Sequence, residues 1–189
     1  MKLAEKAAGP GWYDEIYSQE GGSAGEKYVV PIHRWIAERV KERDVVVDLG
    51  CGPGSLAHLL NDLGHHEDYT GYDFSNVAVK KARKKCPWYS FARKDLRDVE
   101  KKDFDGVDVA VLCEVLEHIE DDLRLLRILP PGIHVLGSVP TFGGRHCHLR
   151  CFPSMMDVVD RYREDLVFKE ICLVAKSWCF NAIAMGVGV

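Results

Sequence analysis

The chain contains no apolar run approaching the roughly 20 residues needed to span a bilayer. Met1–Pro10 also lacks the apolar stretch of a secretion signal. Neither membrane insertion nor export is therefore expected. A strong charge of either sign is missing too: 25 Lys and Arg stand against 29 Asp and Glu, for a net charge of −4. That balance argues against a protein that wraps nucleic acid through one large basic face, and leaves a local basic patch open. No internal repeat or low-complexity segment interrupts the 189 residues, which are enough for one domain with a full core. The seven cysteines are odd in number and scattered along the chain. Without a secretion signal, reduced thiols in a cytoplasm are the simpler expectation.

What is present is an alternation of short apolar runs with amphipathic stretches. "VVVDLG" (Val45–Gly50) is a continuous apolar run ended by glycine, as a buried parallel strand should be. "SLAHLLNDLG" follows with leucines at helical spacing and Gly64 placed as a C-cap. "DYTGYD", "WYSFAR", "GVDVAVLC" and "IHVLGSV" supply further strands. Between them lie "SNVAVKKARKKC", with Ser75 as N-cap, and "DDLRLLRIL", with Leu123, Leu126 and Leu129 spaced for burial. Repeated strand–helix units imply right-handed crossovers and a parallel sheet with helices on both faces. The closing "LVFKEICLVAK" and "CFNAIAMGVGV" read as two more strands of the same sheet, and "EKYVVPIHRWIAERVKE" as a helix packed on it. The segment "GWYDEIYSQEGGSAG" is glycine-rich with aromatics and is expected to be mobile. The fold expected is a single α/β domain, a doubly wound Rossmann-like sheet of seven mostly parallel strands whose last strand is antiparallel.

A ligand in such a sheet sits outside the strand ends, where the first strand turns into the first helix. That turn is "DLGCGPGS" (Asp48–Ser55), with Gly50, Gly52 and Gly54 letting backbone approach a ligand that side chains would block. A dinucleotide fingerprint reads G-x-G-x-x-G, whereas here the third glycine comes one residue early. Asp48 would repel a pyrophosphate, yet would suit a ligand carrying an ammonium and a sulfonium, such as S-adenosylmethionine.

"VVVDLGCGPGSLAHLL" resembles the first motif of class I S-adenosylmethionine-dependent methyltransferases of the ubiquinone-biosynthesis-like type, and the likeness continues in order through Ser138. The resemblance implies that Asp73, in "YTGYDFS", receives both ribose hydroxyls, with Phe74 against the adenine. It places Asp95 and Leu96 near the adenine amino group, and Cys113 with Glu114 under the methionine part. Cys51 completes the glycine turn. Trp12, Tyr13, Tyr17 and Tyr28 resemble a lid whose aromatic faces favour a sulfonium. The segments implied are a lid over residues 1–25, a cofactor-binding core over 45–138, and a substrate-side loop with closing strands over 139–189.

Methyl transfer needs alignment of donor and acceptor and exclusion of water. An alcohol or phenol acceptor gains further from a base or a metal. "CEVLEHIEDD" offers Glu114, Glu117 and His118, which share one face if the stretch is helical. After the fifth strand comes "GGRHCHLRC" (Gly143–Cys151). Small-RNA 3′-end 2′-O-methyltransferases and some ubiquinone-type O-methyltransferases use Glu, Glu, His and a later His to hold a cation. By resemblance Glu114, Glu117, His118 and His148 could hold Mg²⁺, Mn²⁺ or Fe²⁺. Two other readings stay open: a self-contained zinc site from His146, Cys147, His148 and Cys151, or a metal-free loop. In the latter, His118 or His148 is a base, and Arg145 and Arg150 attract an acidic substrate.

The function expected is O-methylation of a small-molecule acceptor in the cytoplasm, with Glu114, His118 and His148 as the catalytic candidates. A metal-dependent RNA 2′-O-methyltransferase and a non-catalytic, partner-binding member of the fold are the alternatives. A nicotinamide dehydrogenase would need the longer glycine spacing and a Tyr-x-x-x-Lys, which the sequence lacks.

Overall fold

A computed structural model describes residues 4, 7–19, 26–65, 68–143 and 147–186. Seven strands form one sheet: β1 (Val46–Leu49), β2 (Tyr69–Asp73), β3 (Ser90–Arg93), β4 (Val109–Cys113), β5 (His134–Pro140), β6 (Leu166–Val174) and β7 (Ser177–Ala184). Their order across the sheet is β3-β2-β1-β4-β5-β7-β6. β1 pairs in parallel with both β2 and β4, while β7 runs antiparallel to both β5 and β6. The order reverses at β1, so the ends of β1, β2 and β4 frame the crevice where such sheets bind ligands.

All four residues of β1 are buried, because helices cover both faces. The pleat divides its side chains between two cores. Val47 and Leu49 join Ala110 and Leu112 of β4 in one cluster, and Val46 joins Val109 and Val111 in the other. Three helices cover the second cluster: α2 (Glu26–Ala37), α3 (Ser55–Asp62) and α4 (Asn76–Lys85) contribute Ile36, Leu60 and Ala82 among others. On the opposite face, α5 (Asp122–Arg127) and α6 (Met155–Tyr162) add Leu126 and Tyr162. Among the described residues no helix is long and apolar enough to cross a membrane.

Local chemistry sets the helix limits. The Ser75 side chain accepts a hydrogen bond from Ala78 N and starts α4, while Arg83, Lys84 and Lys85 sit in its last turn. Ser154 and Asp157 form a reciprocal capping box at the start of α6.

Two expectations shift. The stretch expected to be mobile contains a helix, α1 (Pro10–Ser18), which opens with proline in its first turn and stacks Tyr13 and Tyr17 on one side. In α5, Leu125 and Leu126 are buried and Leu123 is only half-buried. The cause is Asp122, fully buried, whose carboxylate takes the Arg161 guanidinium and the Tyr162 hydroxyl and so turns that face inward.

Candidate active site

The turn after β1 carries Gly50, Gly52 and Gly54 at φ of 87°, 52° and 78°, all left-handed. Each glycine has a different reason to be there. A Cβ on Gly50 would lie 2.6 Å from Val115 Cγ2, so this residue lets the turn pass under the end of β4. A Cβ on Gly54 would come 3.1 Å from Ala82 Cα, so Gly54 lets α3 lie close to α4. Gly52 instead points its N–H at Asp73 Oδ2, 2.9 Å away. Asp73 Oδ1 accepts from Ser75 N at 2.8 Å. Burial raises the Asp73 pKa to about 6, against the pull of these two backbone bonds. Each carboxylate oxygen retains lone-pair capacity, so the group fits a pair of ribose hydroxyls.

Gly50, Cys51, Gly52, Asp73 and Phe74 line a cavity of about 1310 Å³. This exceeds the roughly 300–1,000 Å³ of ordinary small-molecule sites, and gives room for a cofactor with an acceptor. Asp95, Leu96, Cys113, Tyr17 and Tyr28 also line this cavity. The Asp95 carboxylate is occupied by its neighbour Arg97, with Nη2 at 2.6 Å. Asp48 is placed differently from expectation. It is buried beneath the turn, takes the Tyr69 hydroxyl, and is not part of the cavity wall; nor is Gly54. The pleat explains this, since Asp48 shares its face with Val46 and points toward the core containing Tyr69. Burial raises the Asp48 pKa to about 7.

The other side of the cavity begins at the end of β4. Glu114 has a φ of 56°, which breaks the chain direction before a short 3₁₀ turn, Leu116–His118. Glu114 therefore does not share a helical face with Glu117 and His118, and the helical reading of this stretch is corrected. The Glu114 carboxylate instead accepts from Ser138 Oγ at 2.8 Å and Tyr28 Oη at 3.5 Å. The Tyr28 hydroxyl also meets Ser177 Oγ.

Glu117 is fully buried, with Oε1 3.4 Å from His118 Nε2. His118 Nδ1 lies 2.9 Å from the Cys147 carbonyl, and the His118 and His148 rings are 4.8 Å apart at 78°. The ligand atoms of His118, Cys147 and His148 all lie within 4.8 Å of one another. Of the four residues expected around a cation, His118 and His148 come together, and Glu117 Oε1 lies 3.4 Å from His118 Nε2. Cys147, named above only for a self-contained zinc site, joins them. Arg145 and His146 lie outside the described residues.

Arg150 is also corrected. Its guanidinium donates to the carbonyls of Leu116 at 2.6 Å and Glu120 at 3.1 Å, and sits 3.3 Å from Asp122. It braces the turn that carries Glu117 and His118 and does not face a substrate. Leu149 N donates to Glu117 O at 2.8 Å, strapping the loop after β5 onto the same turn.

α1 covers the cavity. Its Asp14 accepts from Val77 N at 3.1 Å and from the Ser75 hydroxyl, at the start of α4. Tyr13 lies 5.1 Å from Phe74 and 6.0 Å from His118, ring to ring. Burial pushes the Tyr13 and Tyr17 hydroxyls well above their ordinary range, so both remain proton donors. Sequence reasoning missed Asp14, Ser138 and the bracing role of Arg150. Their partners lie 24 to 63 residues away, and no local spacing records that.

Residues 47–129 match the family model described as a methyltransferase domain. A protein of Mycolicibacterium smegmatis, named "Probable S-adenosylmethionine-dependent methyltransferase", is 29% identical over 126 residues, covering 63% of this chain and 48% of that protein. A human protein, "eEF1A lysine and N-terminal methyltransferase", is 28% identical over 145 residues, covering 71% of this chain and 20% of that one. The chain thus spans about half the length of the first relative and a fifth of the second. Among solved structures, the methyltransferase in the complex of the Haloferax volcanii Trm112 activator with a methyltransferase shares the fold. Its TM-score is 0.77 at 18% identity, covering 92% of this chain and 97% of that one. The domain match runs across the glycine turn, Asp73 and the ends of β2 and β4, which are the parts of the sheet that floor the cavity. Over residues 47–129 the chain is thus similar to methyltransferase domains, and its relatives include a protein named as an S-adenosylmethionine-dependent methyltransferase.

Proposed function

We propose that the chain transfers the methyl group of S-adenosylmethionine to an oxygen of a small-molecule acceptor. Asp73 receives the ribose hydroxyls, Phe74 lies against the adenine, and the Tyr17 and Tyr28 rings border the sulfonium. The acceptor oxygen attacks the methyl carbon in line. The new O–C bond forms as the C–S bond breaks, and its electron pair returns to sulfur as a neutral thioether. The acceptor proton passes to His118 Nε2.

The observation that carries this reading is the setting of His118. Its Nδ1 faces a carbonyl oxygen at 2.9 Å, which holds the ring proton there and leaves Nε2 as the basic atom. Glu117 Oε1, 3.4 Å from Nε2, favours the imidazolium formed when that atom takes a proton. An acceptor of modest size is favoured because α1 covers the cavity and brings Tyr13 to the same imidazole.

The test is transfer of labelled methyl from S-adenosylmethionine to a panel of hydroxylated small molecules, peptides and RNA. Label on a small-molecule oxygen, with the rate lost in His118→Ala, supports the reading. Label only on peptide, as the human relative's name describes for its own substrate, or only on RNA, overturns the acceptor class.

A further inference from the structure

We propose that His118, Cys147 and His148 form a binding site for Zn²⁺ or a similarly thiophilic divalent cation at the acceptor side of the cavity. The three residues come from two separate stretches, yet their ligand atoms lie within 4.8 Å of one another. Two imidazoles and a thiolate held by a tetrahedral ion at ~2.0–2.3 Å sit roughly 3.3–3.6 Å apart. Shifts of at most about 1.5 Å bring the cluster to that spacing.

The surroundings match a ligand set. Cys147 and His148 are each 4% exposed, and both line the cavity with His118. The Cys147 carbonyl opposite His118 Nδ1 fixes the tautomer that leaves Nε2 to coordinate, the usual outer partner of a ligating imidazole. The Tyr13 hydroxyl hydrogen-bonds Cys147, a donor suited to a thiolate. Glu117, fully buried with Oε1 3.4 Å from His118 Nε2, places a carboxylate beside the three ligands.

The donor set also decides the metal. With a cysteine sulfur beside two imidazoles, the site is softer than one suited to Mg²⁺ or Mn²⁺. Three protein ligands leave a coordination position on the cavity side, as in catalytic rather than structural zinc sites. The proposal rests on the methyltransferase reading only for what that position would hold, namely a lone-pair donor of the acceptor. With the cation bound, His118 would serve as a ligand and not as the base, and the acceptor hydroxyl would bind as its oxyanion after losing its proton to water.

Untagged protein, stripped with a chelator, is loaded with Zn²⁺ or Co²⁺ and desalted. Retention of about one equivalent of zinc is expected, and the cobalt form should show a thiolate charge-transfer band with tetrahedral d–d absorption. Cys147→Ser should lose the charge-transfer band and weaken zinc retention at least tenfold. Cys151→Ser should keep both. Calorimetry with S-adenosylhomocysteine on every variant reports whether the cofactor side is intact. Wild-type protein that binds S-adenosylhomocysteine but retains no zinc overturns the site and leaves the proposed function standing. So does a Cys147→Ser variant with unchanged zinc and spectrum. Zinc binding without S-adenosylhomocysteine binding has the opposite meaning: it supports the site and overturns the proposed function.

Discussion

The proposed cofactor side of the cavity is written in one stretch of chain. Gly50 and Gly52 follow β1, and Asp73 and Phe74 close β2 some twenty residues on. The proposed acceptor side gathers Tyr13, Tyr28, Glu114, His118 and Cys147 from parts of the chain far apart. The first side works through backbone: left-handed glycines, one N–H aimed at a carboxylate, a helix start. The second works through side chains held in place by other side chains, as Ser138 holds Glu114 and Arg150 braces the turn under His118. Substitutions on the two sides should therefore fail in different ways.

The largest effect should come from Asp73→Ala. It removes the proposed receptor for two hydroxyls and leaves Gly52 N and Ser75 N without their Asp73 acceptor. A loss of about 3 kcal/mol, roughly 100-fold in cofactor affinity, is expected by calorimetry. Next is Gly50→Ala, where left-handed backbone and a 2.6 Å clash with Val115 combine. Stability should fall by about 2–4 kcal/mol in chemical denaturation.

Arg150→Met should separate the two sides. Roughly tenfold lower turnover is expected because the turn carrying His118 loosens, while cofactor affinity should stay within about twofold. Equal losses in both would show that the sides are one cooperative unit. Asp14→Ala removes the contact of α1 with the start of α4, and about 1 kcal/mol, roughly fivefold faster cofactor release, should follow in stopped-flow.

Two buried carboxyls give pH signatures of different kinds. Asp73 must be ionised to receive hydroxyls, and burial raises its pKa to about 6. Cofactor affinity should therefore fall as pH drops through 6, with the slope absent in Asp73→Asn. Asp48 touches no cofactor, so its signature is in stability. Its folded pKa of about 7 lies above the ordinary 3.8, so the folded state holds a proton that the unfolded chain releases first. That stability is complete below about pH 4 and is lost as pH rises to 7; the sign is opposite to that of a salt-bridged aspartate. Asp48→Asn should flatten this slope in urea titrations.

The same contrast explains what could be read from sequence. The strands, the Ser75 cap and the glycine turn obey rules acting over a few residues, and the parallel sheet follows from their alternation. Asp48 was legible as an acid beside the turn, but not the face of β1 it occupies, because that depends on Tyr69 in the next strand. "EVLEH" looks helical by spacing, yet Glu114 is drawn out of the helix by Ser138 and Tyr28, whose nearness only the folded sheet creates. "GGRHCHLRC" marked a functional loop. Which of its residues meet His118 depends on the strap between Leu149 and Glu117.

The central claim is that the β1 turn and Asp73 form a site for the nucleoside part of S-adenosylmethionine. Calorimetric titration of S-adenosylhomocysteine into the wild-type protein and Asp73→Ala, side by side, tests it most directly. One site per chain in the wild type, weakened roughly 100-fold by the substitution, is the predicted result. Absence of binding to the wild type, or equal affinity in the two proteins, would contradict it.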